Sequence, residues 1–138
     1  MKRFLQFVAV LLFFNSAVYA SNFAFSKEIA LKKDEQKKIL VKYAGIEKLF
    51  TFRWTLYIND GLVIHRRYDR IVAQNILYLN GKNQSVKVHL VTKGMRYYEA
   101  PYMLLKFKKF DVQKNKAVFQ LFLYDKEKEI TWRFLKNK

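Results

Sequence analysis

The sequence predicts an all-β fold, an antiparallel β-sandwich of immunoglobulin-like or jelly-roll type with about nine strands. Three observations predict it. Short apolar–polar alternations recur along the chain. The longest covers residues 49–58, where Phe50, Phe52, Trp54, Leu56 and Ile58 alternate with Thr51, Arg53, Thr55 and Tyr57. Successive side chains of a strand point to opposite faces, so this pattern is that of a half-buried strand. Turn-forming clusters such as Asn59-Asp60-Gly61 and Asn80-Gly81-Lys82-Asn83 separate the alternations, roughly every eight to twelve residues. After residue 20 no convincing helical period is present. An up-and-down β-barrel is the alternative, because most neighbouring strands look hairpin-connected.

Residues 1–20 stand apart from this pattern. Lys2 and Arg3 form a basic start, residues 4–14 are apolar except for Gln6, and Asn15 to Ala20 are small or polar. Val18 and Ala20 occupy the −3 and −1 positions of a cleavage site. The order is that of a secretory signal peptide, with cleavage expected after Ala20. An uncleaved anchor would need about 20 apolar residues to span a bilayer. The expectation is therefore a periplasmic protein with no transmembrane anchor after cleavage, and a single β-sandwich domain over residues 21–138. The chain contains no cysteine, so neither a disulfide nor a lipid-attachment cysteine is available.

The strands follow in order. Residues 28–32 alternate, Lys33-Asp34-Glu35-Gln36 turns, and residues 37–43 read as the return strand. A helix capped by Asp34 competes for residues 34–42. The β-branched Ile39 and Val41, and the stop at Ala44-Gly45, favour the strand. The stretch 49–58 and residues 62–68 form the next hairpin. Of two registers, a three-residue Asn59-Asp60-Gly61 loop gathers Leu62, Ile64 and Tyr68 with the apolar face, and hydrophobicity favours it over a two-residue Asp60-Gly61 turn. The opposite face then collects Arg53, Tyr57, His65, Arg67 and Asp69.

Residues 71–79 are apolar on both faces, with Ile71, Ala73, Leu77 and Leu79 on one and Val72, Ile76 and Tyr78 on the other. Residues 86–91 alternate as the next strand. Residues 92–101 are the least regular part and read as a crossing loop. Residues 102–112, with Met103, Leu105 and Phe107 on one face, and residues 117–124 form a further hairpin. The latter strand is again apolar on both faces. Ile130, Trp132 and Phe134 mark a final strand.

Charge and composition narrow the function classes. Of 27 basic residues, removing Lys2 and Arg3 leaves 25 against 11 acidic, a surplus of 14. Such a surplus suits anionic partners. Outside the cytosol these are lipid head groups or lipopolysaccharide; no nucleic acid partner is expected. Lysine outnumbers arginine and is spread over nearly every segment, which also fits plain surface solvation. Nucleophilic catalysis lacks its residues: no Cys, no Gly-x-Ser-x-Gly elbow, and only Ser21, Ser26 and Ser85 after residue 20. His65 and His89 are the only histidines and lie on different hairpins, so no metal or other cofactor is expected. Most acids fall in turns, where turn chemistry explains them.

These readings combine into an expectation of a non-enzymatic binding or accessory protein that acts on an envelope protein or an anionic envelope component. Its candidate anion- or partner-binding residues are Arg53, His65, Arg66, Arg67, Arg70, Lys106 and Lys108. Its candidate apolar patch is Tyr78, Tyr97, Tyr98 and Phe122. An alternative is a barrel carrier of a small apolar ligand, lined by Phe50, Phe52, Trp54, Phe119 and Trp132. A more distant one is a hydrolase using His65 or His89 with Asp69. The oligomeric state is not legible at this stage.

Overall fold

The computed structural model describes residues 23–91 and 100–136. The expected signal peptide and its cleavage site lie outside these residues, as do Tyr97, Tyr98 and most of the expected crossing loop. Nine strands are present among the described residues: β1 (Phe25–Lys32), β2 (Lys37–Tyr43), β3 (Ile46–Ile58), β4 (Gly61–Tyr68), β5 (Ile71–Tyr78), β6 (Ser85–His89), β7 (Tyr102–Asp111), β8 (Lys116–Tyr124) and β9 (Ile130–Phe134). All pairings are antiparallel. They build a four-stranded sheet, β1-β8-β7-β6, and a five-stranded sheet, β5-β4-β3-β2-β9. The two sheets face one another as a sandwich and do not close into a barrel.

Around the sandwich the strands from β2 to β8 follow chain order, and β1 and β9 are exchanged. The expected hairpin of β1 with β2 is therefore not formed. β1 pairs with β8, and β2 with β3 and β9. Residues 33–36 instead cross between the sheets. Trp54 anchors that crossing: its indole N–H donates to the Leu31 carbonyl at 2.7 Å, and its own carbonyl accepts from Asp34 N at 2.9 Å. A second crossing precedes β9, where the buried Asp125 carboxylate accepts from Glu129 N and Ile130 N at 3.1 and 2.7 Å. A carboxylate in that place caps two backbone donors that the turn leaves unpaired.

The core lies between the sheets. Phe50, Phe52, Phe107 and Phe119 are fully buried. The Phe52 and Phe119 rings meet edge-on at 5.2 Å, and Phe107 and Phe119 lie 6.1 Å apart. These rings fill the space that a carried ligand would need, and Trp132 lies half-exposed on β9 against Phe25 and Phe134. The lining expected for an apolar carrier is thus a packed core.

Two bulges reset the inside–outside alternation. One lies on β3 between Trp54 and Leu56, the other on β7 between Phe107 and Lys109. A bulge adds one residue to one strand and so swaps the faces beyond it. On β3 it brings Tyr57 inward, where the ring stacks on Phe110 at 4.1 Å. On β7 it brings Phe110 inward to meet Trp54 edge-on at 5.6 Å. Leu56 and Ile58, expected in the core, are instead 49% and 58% exposed.

The β3–β4 turn differs from both expected registers. It is a two-residue Asn59-Asp60 turn that pairs Ile58 with Gly61. Both central residues have positive φ, 51° and 61°, as a type I′ turn requires. Asn and Asp adopt that conformation more readily than other non-glycine residues. The face prediction survives, with Leu62, Ile64 and Tyr68 buried beside Phe50, Phe52 and Trp54. It survives because the bulge restores the parity that the tighter turn removes.

Candidate binding face

Residues that point away from the core on β2, β3, β4 and β5 make the outer face of the five-stranded sheet. Cross-strand register orders them in rows. One row runs Val72, Arg67, Thr51, Lys38. The next runs Gln74, His65, Arg53. Arg53 and Arg67 are diagonal neighbours on adjacent strands, so their Cβ atoms lie about 7–8 Å apart. Both are exposed, as is Lys38. Thr51 is buried beneath this row, although it faces outward. A surface cleft of about 550 Å³ opens there, lined among others by Lys38, Lys48, Thr51, Arg67 and Asp69. Asp69 is engaged by Lys48 at 3.0 Å. Arg67 and Lys38 have no ion-pair partner among the described residues. His65 Nε2 shares a hydrogen bond of 3.1 Å with Thr55 Oγ1, which fixes the imidazole beside Arg53.

The same face becomes apolar toward the Asn59-Asp60 turn. Leu56, Val63 and Ile76 form one cross-strand row, and Ile58, Gly61 and Tyr78 the next. Ile76 and Tyr78 are 47% and 39% exposed, and Val72 is 70% exposed. Gly61 is the seat for Tyr78. A Cβ at residue 61 would come within 3.0 Å of the Tyr78 ring and 3.4 Å of Ile76. Any larger residue would therefore press on the Tyr78 ring. The outer face thus has a cationic half around Arg53 and Arg67 and an apolar half around Leu56 and Ile76.

Of the residues singled out from the sequence, Arg53, His65, Arg67 and Tyr78 share this face. Arg66 does not. It points inward, and its Nε donates to Asn75 Oδ1 at 2.8 Å. Partial burial lowers its pKa from the ordinary value, yet a guanidinium stays charged. Arg70 sits in the Asp69-Arg70 turn with a φ of 113°. Lys106 and Lys108 belong to β7, in the other sheet. Lys108 is held by Glu28 at 2.6 Å, a hydrogen bond that lowers the glutamate pKa. The seven cationic candidates therefore do not form one patch.

The apolar candidates divide in the same way. Phe122 lies on the outer face of the four-stranded sheet, half-buried and covered by Phe23 at 4.9 Å between ring centroids. It cannot share a surface with Tyr78. His65 and His89 lie on opposite outer faces of the sandwich. His65 and Asp69 are four residues apart along an extended chain, about 13 Å, beyond hydrogen-bond reach. The hydrolase pairing therefore has no geometric support at His65, and His89 belongs to the other sheet.

Lys38, Leu56, Ile58 and Val72 belong to this face and were missed as site residues. For Val72 the signal was present, since residues 71–79 are apolar on both faces. For Leu56 and Ile58 the plain alternation pointed the other way, and only the bulge exposes them. No family model matches the chain, and no curated protein or solved structure matches it either.

Proposed function

We propose that the protein is an exported, non-catalytic binding protein whose docking surface is the outer face of the five-stranded sheet. The ligand class is an anionic amphiphile of the cell envelope, such as an acidic lipid or lipopolysaccharide at a membrane surface. One observation carries this reading: exposed arginines and exposed apolar side chains adjoin on a single sheet face. Arg53, Arg67 and Lys38 offer guanidinium and ammonium groups to phosphate. Leu56, Ile58, Ile76 and Tyr78 offer apolar area to acyl chains. Exposed apolar patches of this kind mark interaction sites more often than chance surface composition does. The formal surplus of positive charge adds long-range attraction to an anionic surface.

The outer face of the four-stranded sheet also carries lysines, but its large apolar residues are half-buried or buried. Tyr102 and Tyr124 stack at 4.9 Å, and Lys87 lies 4.0 Å over the Tyr102 ring. It supplies charge with less accessible apolar area.

The test is binding to vesicles. Vesicles containing a phosphatidylglycerol-type lipid should retain the protein, and purely zwitterionic vesicles should not. Raising salt should weaken retention without abolishing it, because charge is screened and apolar contact is not. Equal retention on both vesicle types, or none on either, contradicts the proposal.

A further inference from the structure

The free edge of β5 carries a second inference, independent of the ligand. Four strands lie at sheet edges: β1, β6, β5 and β9. An edge strand exposes unpaired N–H and C=O groups, and proteins protect such edges with charges, prolines or short length. β1 carries Lys27, Glu28 and Lys32, β6 carries Lys87, and β9 carries Arg133. β5 reads Ile-Val-Ala-Gln-Asn-Ile-Leu-Tyr over eight residues, with no charge and no proline. Of the ten exposed large hydrophobic residues among those described, four, Ile71, Val72, Ile76 and Tyr78, lie on it. Among the described residues this is the one edge strand without a charged side chain.

The backbone of that edge has a defined direction. Tyr68 and Ile71 close the two-residue Asp69-Arg70 turn. A closing pair of this kind bonds inward, and bonding then alternates along the strand. Val72, Gln74 and Ile76 consequently turn their N–H and C=O groups to the open side. The next such residue, Tyr78, already donates its N–H to the Asn83 carbonyl at 2.9 Å. Among the described residues the free edge is therefore three backbone-active residues long and centred on Gln74.

We propose that the occupant of this edge is β5 of a second copy, paired antiparallel about a two-fold axis through Gln74. In that register Gln74 faces its own counterpart, and Val72 faces Ile76 of the second copy. On the inner side Ile71 faces Leu77 of the second copy. Three pairs exchange about six backbone hydrogen bonds. The exposed Val72, Ile76 and Ile71 each gain an apolar neighbour, and the two sheets continue into one.

Charge selects this occupant. An acidic partner strand would find no cation along Ile71–Tyr78. A second basic copy approaching any other edge would meet like charge, and here it meets none. The nearest outward arginines, the two copies of Arg67, would lie about 20 Å apart from strand spacing and rise. That separation is beyond the screening length at physiological salt.

Sedimentation equilibrium and light scattering on the purified protein test this. A concentration-dependent monomer–dimer equilibrium is expected at micromolar to millimolar protein. Gln74→Lys and Gln74→Glu should each shift the dissociation constant at least tenfold weaker, because each places two like charges face to face. Mixing the two variants should restore a heterodimer. Circular dichroism should show the same fold for all three proteins, since residue 74 is exposed. A parent that stays monomeric, variants that dimerise as well as the parent, or a mixture that does not recover association would each overturn the proposal. Growth beyond the dimer would overturn the two-fold closure.

Discussion

The two outer faces of the sandwich start from similar material and end differently. Both are built from strands with apolar residues on both sides, and both carry basic residues. On the four-stranded sheet Phe122 is capped by Phe23, Tyr102 stacks with Tyr124, and Val118 is buried although it faces outward. On the five-stranded sheet Leu56, Ile58, Val72 and Ile76 have no such cover among the described residues. The difference teaches that a two-faced apolar strand is not in itself a site. What matters is whether the rest of the chain supplies a lid.

The largest effect that separates the faces concerns the β3 bulge. Phe110→Ala removes the ring on which Tyr57 stacks, the long-range contact that goes with the parity beyond the bulge. The Tyr57–Phe110 stack and the edge-on contact of Trp54 with Phe110 would both be lost. Urea denaturation should report a loss of about 2–4 kcal/mol, within the range for disrupted core packing. An unchanged midpoint would mean that this aromatic contact does not hold Tyr57 inward.

A smaller contrast compares single truncations on the two faces. Phe122→Ala, on the covered face, should cost about 1–3 kcal/mol because it removes a half-buried ring and its partner contact. Ile76→Ala, on the bare face, should cost less than about 0.5 kcal/mol, as surface substitutions usually do. Equal costs would mean that Ile76 is packed as firmly as Phe122 in solution.

The smallest effect uses pH. Tyr68 is buried beneath the cationic half of the bare face, and its hydroxyl donates to the Leu90 carbonyl at 2.9 Å. Burial, with the Asp69 charge as a lesser cause, pushes its pKa up to about 12 from 10.0. The folded state therefore holds this proton more tightly than the unfolded chain. The stabilising contribution is complete below pH 10 and is lost as pH rises from about 10 to about 12. Tyr68→Phe should lose that increment of alkaline sensitivity, read as a shallower fall of the denaturation midpoint than the parent shows across this window. A parallel fall in both proteins would contradict it.

Much of this architecture was legible in the residues. All nine strands coincide with segments that read as strands, because side-chain period, apolar runs and turn chemistry are local properties. The pairing of β1 with β8 was not legible. Residues 33–36 look like any tight polar turn, and what diverts them is the distant Trp54, which binds both ends of the crossing. The bulges were hidden for a similar reason. Phe50 to Ile58 alternate without a break, yet Tyr57 is drawn inward by Phe110, a residue more than fifty positions away. Half of the site followed from the hairpin pattern, which correctly set Arg53, His65 and Arg67 on one face. The other half, Leu56 and Ile58, depends on that long-range aromatic contact. The division of Lys106, Lys108 and Phe122 from the hairpin arginines depends on sheet membership, which no local pattern encodes.

The central claim is that binding resides on the bare face and not in the overall charge. Paired charge reversals of equal size test it directly. Arg53→Glu with Arg67→Glu alters the five-stranded face, and Lys106→Glu with Lys109→Glu alters the four-stranded face by the same four units of charge. Binding isotherms on anionic vesicles at fixed ionic strength should show at least a tenfold weaker affinity for the arginine pair. The lysine pair should stay within about threefold of the parent, since two distant charges contribute little when screened. Equal weakening by both pairs would show that net charge alone drives association, and would contradict the account.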